Sequence, residues 1–417
     1  MRKELFYLSA LLGLLFTCHL AVAENWPRFR GPNGTGIAQD KDIPVHFNEK
    51  DGILWKVPAG GLGNSSPVVW ENHLFLHSST PDGKQRMLSC FDTASGKLLW
   101  TQTAAGAKAH THELNTLASA TPATDGQIVV NAFWDGKRIT LAAFDFDGKR
   151  VWRRNLGEFK SQHGAGASPI IYADKVFFAN DQDGVSTLLA LDKKNGEVVW
   201  QAPREAYRAC YSAPFIREKA GTAPELIVLS TMSLRSYHPE TGSVNWNWQW
   251  KFGGTMPLRT TGSPIYAHNM IFGCSGDGYG PRHMVAVRLH GNGSEARPEL
   301  AWENQKDFPY VPSLLSRGQH LYFVNDRGFA GCFVAETGKQ VWLERLAEDK
   351  FVSSPVLIDG KIYAPSVDGD VYVLAADSTY QVLAKNTLGE RFRASPAVAN
   401  NRLYLRGENH LFCIGRK

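Results

Sequence analysis

The stretch Asp92-Thr93-Ala94-Ser95-Gly96-Lys97-Leu98-Leu99-Trp100 decides the fold, because the chain repeats it. It returns at residues 145–152, 192–200, 239–246 and 335–342, and loosely at 288–302. A second landmark keeps step with it. Ser66-Pro67, Thr121-Pro122, Ser168-Pro169, Ala213-Pro214, Ser263-Pro264, Val311-Pro312, Ser354-Pro355 and Ser395-Pro396 place successive prolines 55, 47, 45, 50, 48, 43 and 41 residues apart. Self-similarity at such a period means a solenoid, a propeller or an array.

Between the landmarks the chemistry is all β. Val68-Val69-Trp70, His73 to Leu76 and Met87 to Phe91 are short apolar runs separated by Gly, Asp and Asn. Runs of this kind form antiparallel hairpins. A proline suits the first position of a strand, where its missing N–H breaks no ladder. The glycine before each last strand suits a turn that needs positive φ. Each unit therefore reads as four strands, one blade of a β-propeller. In the seventh unit Leu383 takes the tryptophan position. The last unit is a strand short after Pro396, whereas 53–57, carrying Trp55, looks like an outer strand that precedes the first anchor. The expected fold is an all-β, eight-bladed propeller of four-stranded antiparallel blades, with the last blade closed by the strand around Trp55. Closure of this kind removes exposed edges. A seven-bladed ring with one stray hairpin is the alternative. The repeat tryptophans Trp55, Trp100, Trp152, Trp200, Trp246, Trp302 and Trp342 read as plugs between blades.

Residues 1–23 have the pattern of a secretory signal peptide. Arg2 and Lys3 precede an apolar run, and Ala21-Val22-Ala23 is a cleavage site. Cleavage after Ala23 and a periplasmic or secreted protein are expected, in preference to a lipoprotein anchored through Cys18. The mature chain, 24–417, then divides into a leader (24–52), the closing strand and blades from 64 onward. The formal charge of +5, without basic runs, gives no support for a nucleic-acid partner. No other segment reads as a transmembrane span, and a monomer is expected. Cys90, Cys332 and Cys413 share one repeat position with Ala143, Ala190, Ser236 and Ala286, so they read as small core residues; no disulfide is expected.

The Asp-x-x-x-Gly-Lys-x-x-Trp ending with a Ser-Pro start resembles the tryptophan-docked repeats of the PQQ-like (quinoprotein-dehydrogenase-like) β-propellers. The resemblance covers roughly 26–417, and the opening Trp26-Pro27-Arg28-Phe29-Arg30-Gly31-Pro32 resembles the leader of bacterial members of unassigned function. The resemblance has two functional branches. Quinoprotein dehydrogenases hold pyrroloquinoline quinone beside calcium, with adjacent cysteines, large inserts and a catalytic Asp. This chain lacks the adjacent cysteines and has no room for the inserts. No cofactor is therefore expected, and the quinone is disfavoured. The other branch is non-catalytic and includes an outer-membrane protein assembly lipoprotein.

The polar residues that do not repeat lie just before the anchors, in the loops joining the fourth strand of one blade to the first of the next (D–A loops). They are His110, His112, Glu113, Asn115, His163, Arg208, Tyr211, Arg259, Tyr310 and Arg393, with Lys350 and Arg391 in the same class of loop. In a propeller these loops share a face with the B–C turns. A ring of His, Arg and Tyr there would suit an anionic or sugar-like ligand, since Arg offers a planar fork of donors and Tyr a stacking face. Satisfied side chains on a solvated loop face are the bland alternative. His110, His112, Glu113 and His163 are also metal-ligand types, but their spacing is unspecific, and no metal site is assigned. Asp181-Gln182-Asp183-Gly184 hints at a calcium loop; the recurring Asp-Gly at 82–83, 135–136, 277–278 and 368–369 makes a hairpin turn the better reading. These features favour an exported, non-catalytic propeller binding a protein partner or small ligand on the D–A/B–C face. A quinone- or metal-dependent oxidoreductase and an outer-membrane protein assembly scaffold are the alternatives.

Overall fold

The computed structural model describes residues 24–251, 257–278, 280–348 and 350–416, so the signal-peptide reading lies outside the described residues. Eight antiparallel four-stranded sheets follow one another around a ring. Blade 1 shows the pattern: Val68–Trp70 innermost (A), then His73–Ser79 (B), Gln85–Asp92 (C) and Leu98–Ala105 outermost (D). Blade 8 is closed as expected. Its strands Ala397–Ala399, Arg402–Arg406 and His410–Ile414 are completed by Ile53–Pro58, with Trp55 opposite Cys413. Helix among the described residues is limited to two three-residue 3₁₀ turns.

The register explains the repeated motif. In every blade the outer strand carries a bulge at the residue before the tryptophan position, as between Cys90 and Phe91, which re-aims the next side chain. That side chain then faces a small residue. Trp100 faces Cys90, Trp152 Ala143, Trp200 Ala190, Trp246 Ser236, Trp302 Ala286 and Trp342 Cys332. Each indole reaches the next blade's C–D turn. The Nε1–H groups of Trp55, Trp100, Trp152, Trp200, Trp302 and Trp342 donate to the carbonyls of Thr93, Phe146, Lys193, Pro239, Ala335 and Asp377. The motif glycine of that turn lies flat on the ring. Gly242, at φ 71°, leaves no room for a Cβ, which would sit 2.5 Å from Trp200. Trp246 is the variation: it donates 2.9 Å to Glu225, a buried carboxylate that also pairs with Arg217.

Two positions shift from the sequence reading. In blade 7 the bulge is Leu383 itself, and the tryptophan position belongs to Ala384, which faces Val373. The small and large partners are exchanged, and the leader covers the vacated space. Phe47 shares an apolar cluster with Ala384, and its N–H donates 2.9 Å to Asn386. In blade 6 the inner strand starts at Leu315, so the anchor equivalent to Ser66-Pro67 is Ser313-Leu314, two residues after Val311-Pro312.

The purpose of the anchor hydroxyl is also visible. The N–H of Ser66 donates to Thr121 Oγ1, Thr121 to Ser168 Oγ, Ala213 to Ser263 Oγ, Ser263 to Ser313 Oγ, Ser313 to Ser354 Oγ, Ser354 to Ser395 Oγ and Ser395 back to Ser66 Oγ, all at 2.9–3.0 Å. The circle is interrupted at Ala213, which has no hydroxyl to offer Ser168. Buried N–H groups need such partners, and here a neighbouring blade supplies one at seven of the eight anchors.

The leader runs around the inside of the channel. Trp26, fully buried, bridges Val69 of blade 1; the Thr124 N–H in blade 2 donates to Pro27 O; Asn33 exchanges two bonds with Ile216 in blade 4. Arg30 donates to Leu314 O and Pro355 O in blades 6 and 7, and Ile37–Ala38 adds a parallel strand to the inner edge of blade 7. Asp40 then accepts from Asn401 N in the A–B turn of blade 8. The leader thus occupies the A–B end of the channel and leaves the D–A end open. Burial drops Arg28 and Arg30 to a pKa of about 9, and backbone carbonyls accept their hydrogen bonds.

Candidate functional site

At the open end the D–A loops and B–C turns surround a cavity of about 340 Å³, within the range of small-ligand sites. Its walls include the anchor hydroxyls Ser66, Thr121, Ser168, Ser354 and Ser395, and Phe29 of the leader contributes to its lining. The anchors are therefore both the inner hydrogen-bonded circle and part of the cavity wall.

Of the residues singled out in the sequence, the cavity gathers His112, Glu113, Asn115, His163, Tyr211, Tyr310 and Arg393, together with Lys350. The loop after blade 1 holds the first three. Asn115 Nδ2 donates to His163 O (2.7 Å) and Ala165 O (3.2 Å), and the His112 N–H donates to His163 O. Across the mouth, Arg393 Nη1 donates 2.8 Å to Glu113 O, so this loop is held from blades 3 and 8 at once. The His112 and His163 rings lie 4.5 Å apart. Burial, then the charges of Arg259, His112 and Arg208, depress His163 to a pKa of about 4, so it is neutral at pH 7.

Tyr211 is fixed by Ser161 (3.0 Å) and donates to Gly164 O (2.9 Å); burial raises its pKa to about 12. Tyr310 is buried beneath the Arg282 guanidinium, and its pKa is raised by burial. Three predicted residues do not line the cavity. His110 is exposed farther out on its loop. Arg208 stands 3.8 Å from Asp277. Arg259 is buried behind Tyr211, its Nη1 donating 2.8 Å to Ala209 O.

Sequence reading missed Phe29, Asp277 and Asp326. Asp277 and Asp326 lie in B–C turns, where Asp is ordinary turn chemistry, so nothing in the pattern distinguished them. Asp326 pairs with Arg282 and accepts the Tyr310 N–H at 2.8 Å. Asp181, the extra carboxylate of the suspected calcium loop, forms a buried bidentate pair with Arg204 (2.6 and 2.9 Å), and Asp183 accepts the N–H groups of Gln162 and Ala209. Both carboxylates therefore have structural partners. Among the described residues no three His, Cys, Asp or Glu side chains are grouped to hold a metal ion. The cysteines at 90, 210, 274, 332 and 413 are buried free thiols with raised pKa values, and none lines the cavity.

Fold and site together define a class: an eight-bladed propeller with tryptophan-docked blades, its channel occupied by the leader at one end and open as a cavity at the other. Within that class the chain belongs to the PQQ-like repeat family described as outer membrane protein assembly factor BamB, whose model matches residues 39–222 and 140–378. Among solved structures, BamB from Moraxella catarrhalis is 17% identical, with 88% of this chain and 97% of that chain covered and a TM-score of 0.64. Quinohemoprotein alcohol dehydrogenase from Comamonas testosteroni is 13% identical, with 94% and 81% covered and a TM-score of 0.65. Sqt1 from Saccharomyces cerevisiae, 12% identical, covers 91% and 100% at 0.61. At these identities the likeness carries the fold and not the activity. A comparison with curated proteins gives no match. No helix among the described residues is long and apolar enough to cross a membrane.

Proposed function

We propose that this chain is an exported, non-catalytic binding propeller that takes a small polar ligand in the cavity at its D–A/B–C face. The observation that carries the reading is the cavity itself, with Phe29 of the leader among its lining residues and aromatic, imidazole and charged side chains converging from loops of several blades. Such a mixture of flat apolar surface and a few placed polar groups suits ligand recognition. The residues present do not fit pyrroloquinoline quinone and its calcium. Among the described residues no cysteine lines the cavity, and of the carboxylates that do, Asp277 and Asp326 stand beside Arg208 and Arg282, while Glu113 is not grouped with other ligand-type side chains that could hold a cation.

The test is a thermal-shift panel on the purified protein with sugars, amino acids, small carboxylates, and the quinone with calcium. Saturable stabilisation by a panel member, weakened in His112→Ala and Tyr310→Ala variants that keep the fold, is the expected result. A panel without any saturable ligand overturns the reading, and quinone binding with dye reduction would replace it by an oxidoreductase.

The family description favours a second reading, an envelope assembly scaffold with a protein partner. On the loop face, Val185 and Tyr207 are 84% and 55% exposed, the kind of apolar exposure a partner would cover. Co-purification with outer-membrane components that is lost in Tyr207→Ser would support it.

A further inference from the structure

Three residues that line the cavity, on three successive loops, carry polar atoms that the protein itself does not use. In the loop before blade 1, Asn64 Nδ2 donates 3.0 Å to Leu114 O, and Asn64 Oδ1 has no partner among the described residues. In the loop before blade 2, His112 Nδ1 accepts the Leu114 N–H at 3.2 Å. The ring proton therefore sits on Nε2, which is left as a donor. In the loop before blade 3, the main chain of His163 is fixed. Its N–H donates 3.1 Å to Ser161 Oγ, and its carbonyl accepts from Asn115 Nδ2 and the His112 N–H. The His163 ring makes no hydrogen bond among the described residues, and it is neutral at pH 7, so it offers one donor and one acceptor. All three residues are partly exposed, and none of these unused atoms is buried.

The charged groups around the mouth answer one another instead. Three carboxylates line the cavity, Glu113, Asp277 and Asp326, and two cations, Lys350 and Arg393. Asp326 pairs with Arg282, Asp277 has Arg208 at 3.8 Å, and Arg393 donates to the carbonyl of Glu113. Asp183 adds a carboxylate against the loop that carries Arg208, accepting the N–H groups of Gln162 and Ala209, and Arg259 adds a buried cation behind Tyr211. Both signs are spread around the mouth, and neither makes a wall of its own. The unused neutral atoms are grouped on the side of blades 1 to 3, where donors and acceptors stand together. A carboxylate only accepts and an ammonium only donates, so either would leave part of this set unmet. A hydroxyl does both.

We propose that Asn64, His112 and His163 bind adjacent hydroxyl groups of an uncharged, ring-shaped ligand, a cyclic vicinal diol, with Phe29 offering apolar surface to its C–H face. The inference rests on reading the cavity as a ligand site and adds the chemical class. The two imidazoles suit neighbouring hydroxyls because their rings lie 4.5 Å apart on one wall. The assignment concerns binding alone.

The probes share one six-membered carbon frame: the vicinal cis-cyclohexanediol, cyclohexanol, cyclohexanecarboxylate and cyclohexylammonium, titrated into the purified protein and followed by NMR or calorimetry. The diol should bind saturably and at least about ten-fold more tightly than each of the other three, a difference of ~1.4 kcal/mol. Added sodium chloride should leave its affinity unchanged. His163→Phe keeps a flat ring and removes both nitrogens, and it should abolish the preference over cyclohexanol. His112→Phe gives an independent arm and should narrow that preference; where one variant loses the fold, the other decides. Tighter binding of either ion, equal binding of diol and cyclohexanol, or a preference that the folded variants keep overturns the diol site and leaves the cavity reading standing. Binding of other panel ligands without the diol does the same. Failure of every ligand removes both.

Discussion

Replacing Gly242 by Ala tests the docking of one blade on the next. Gly242 sits at φ 71°, and an added Cβ would lie 2.5 Å from Trp200 Cε3 and 2.6 Å from Cδ2. The left-handed backbone costs a side-chain-bearing residue about 1–2 kcal/mol, and forcing a methyl into a packed site adds about 1–3 kcal/mol. The variant should lose about 2–5 kcal/mol, read as a fall in the urea midpoint with the slope unchanged. Trp200→Ala should lose about 3 kcal/mol, the low end for a large aromatic, because the indole is only partly buried. The two losses should not add. Once the indole is gone the new methyl meets open space, so only the backbone term survives, and the double variant should be more stable than the sum by about 1–3 kcal/mol. Additivity within about 0.5 kcal/mol would refute the claim that this glycine is in the repeat to lie on the preceding blade's tryptophan.

Other perturbations address the inner ring, the buried histidine and the leader. Ser395→Ala removes the acceptor for the buried Ser354 N–H, 2.9 Å away, and should cost about 1–3 kcal/mol in chemical denaturation. Ser95→Ala, on an exposed turn, should be within about 0.5 kcal/mol of the parent. Burial depresses His77 to a pKa of about 3, against about 6.5 in an unfolded chain. The unfolded state therefore binds the extra proton, and stability should fall as pH drops from about 6.5 toward 3; His77→Phe should flatten that part of the stability–pH curve. Trp26→Ala, emptying a fully buried site against Val69, should cost about 3–5 kcal/mol, and an unchanged melting temperature would count against the leader as part of the fold.

Much of the architecture was legible because a propeller repeats one local solution. The Gly-Lys…Trp ending and the Ser-Pro start are short-range features, so aligning their copies revealed blades, closure through Trp55 and a shared small-residue position, which the strand register then placed opposite the indoles. The same method slipped where the repeat decays. Spacing put Leu383 at the tryptophan position, and only the ladder showed the bulge that moves it to Ala384. Val311-Pro312 drew the eye to a proline, whereas the inner hydrogen-bonded circle selected Ser313. The candidate site was partly legible, since unusual residues before the anchors had to face the channel mouth. Asp277 and Asp326 were hidden because a carboxylate in a tight turn looks the same whether it faces solvent or a cavity.

The sequence by itself determined the eight units, their strands and the circular closure, since these follow from hairpin chemistry and from a docking contact that each repeat encodes. Tertiary structure alone decided what the leader does and what the loops enclose. Trp26 to Asp40 contains no repeat, and its bonds run to inner strands or the segments flanking them in blades 1, 2, 4, 6, 7 and 8, up to some 360 residues away in sequence. Arg259 and Ala209 are separated by a whole blade in the chain, and the packing of adjacent blades brings them into hydrogen-bond contact. Long-range contacts of this kind leave no local pattern, because their energy depends on where the completed ring brings the chain and not on adjacent residues.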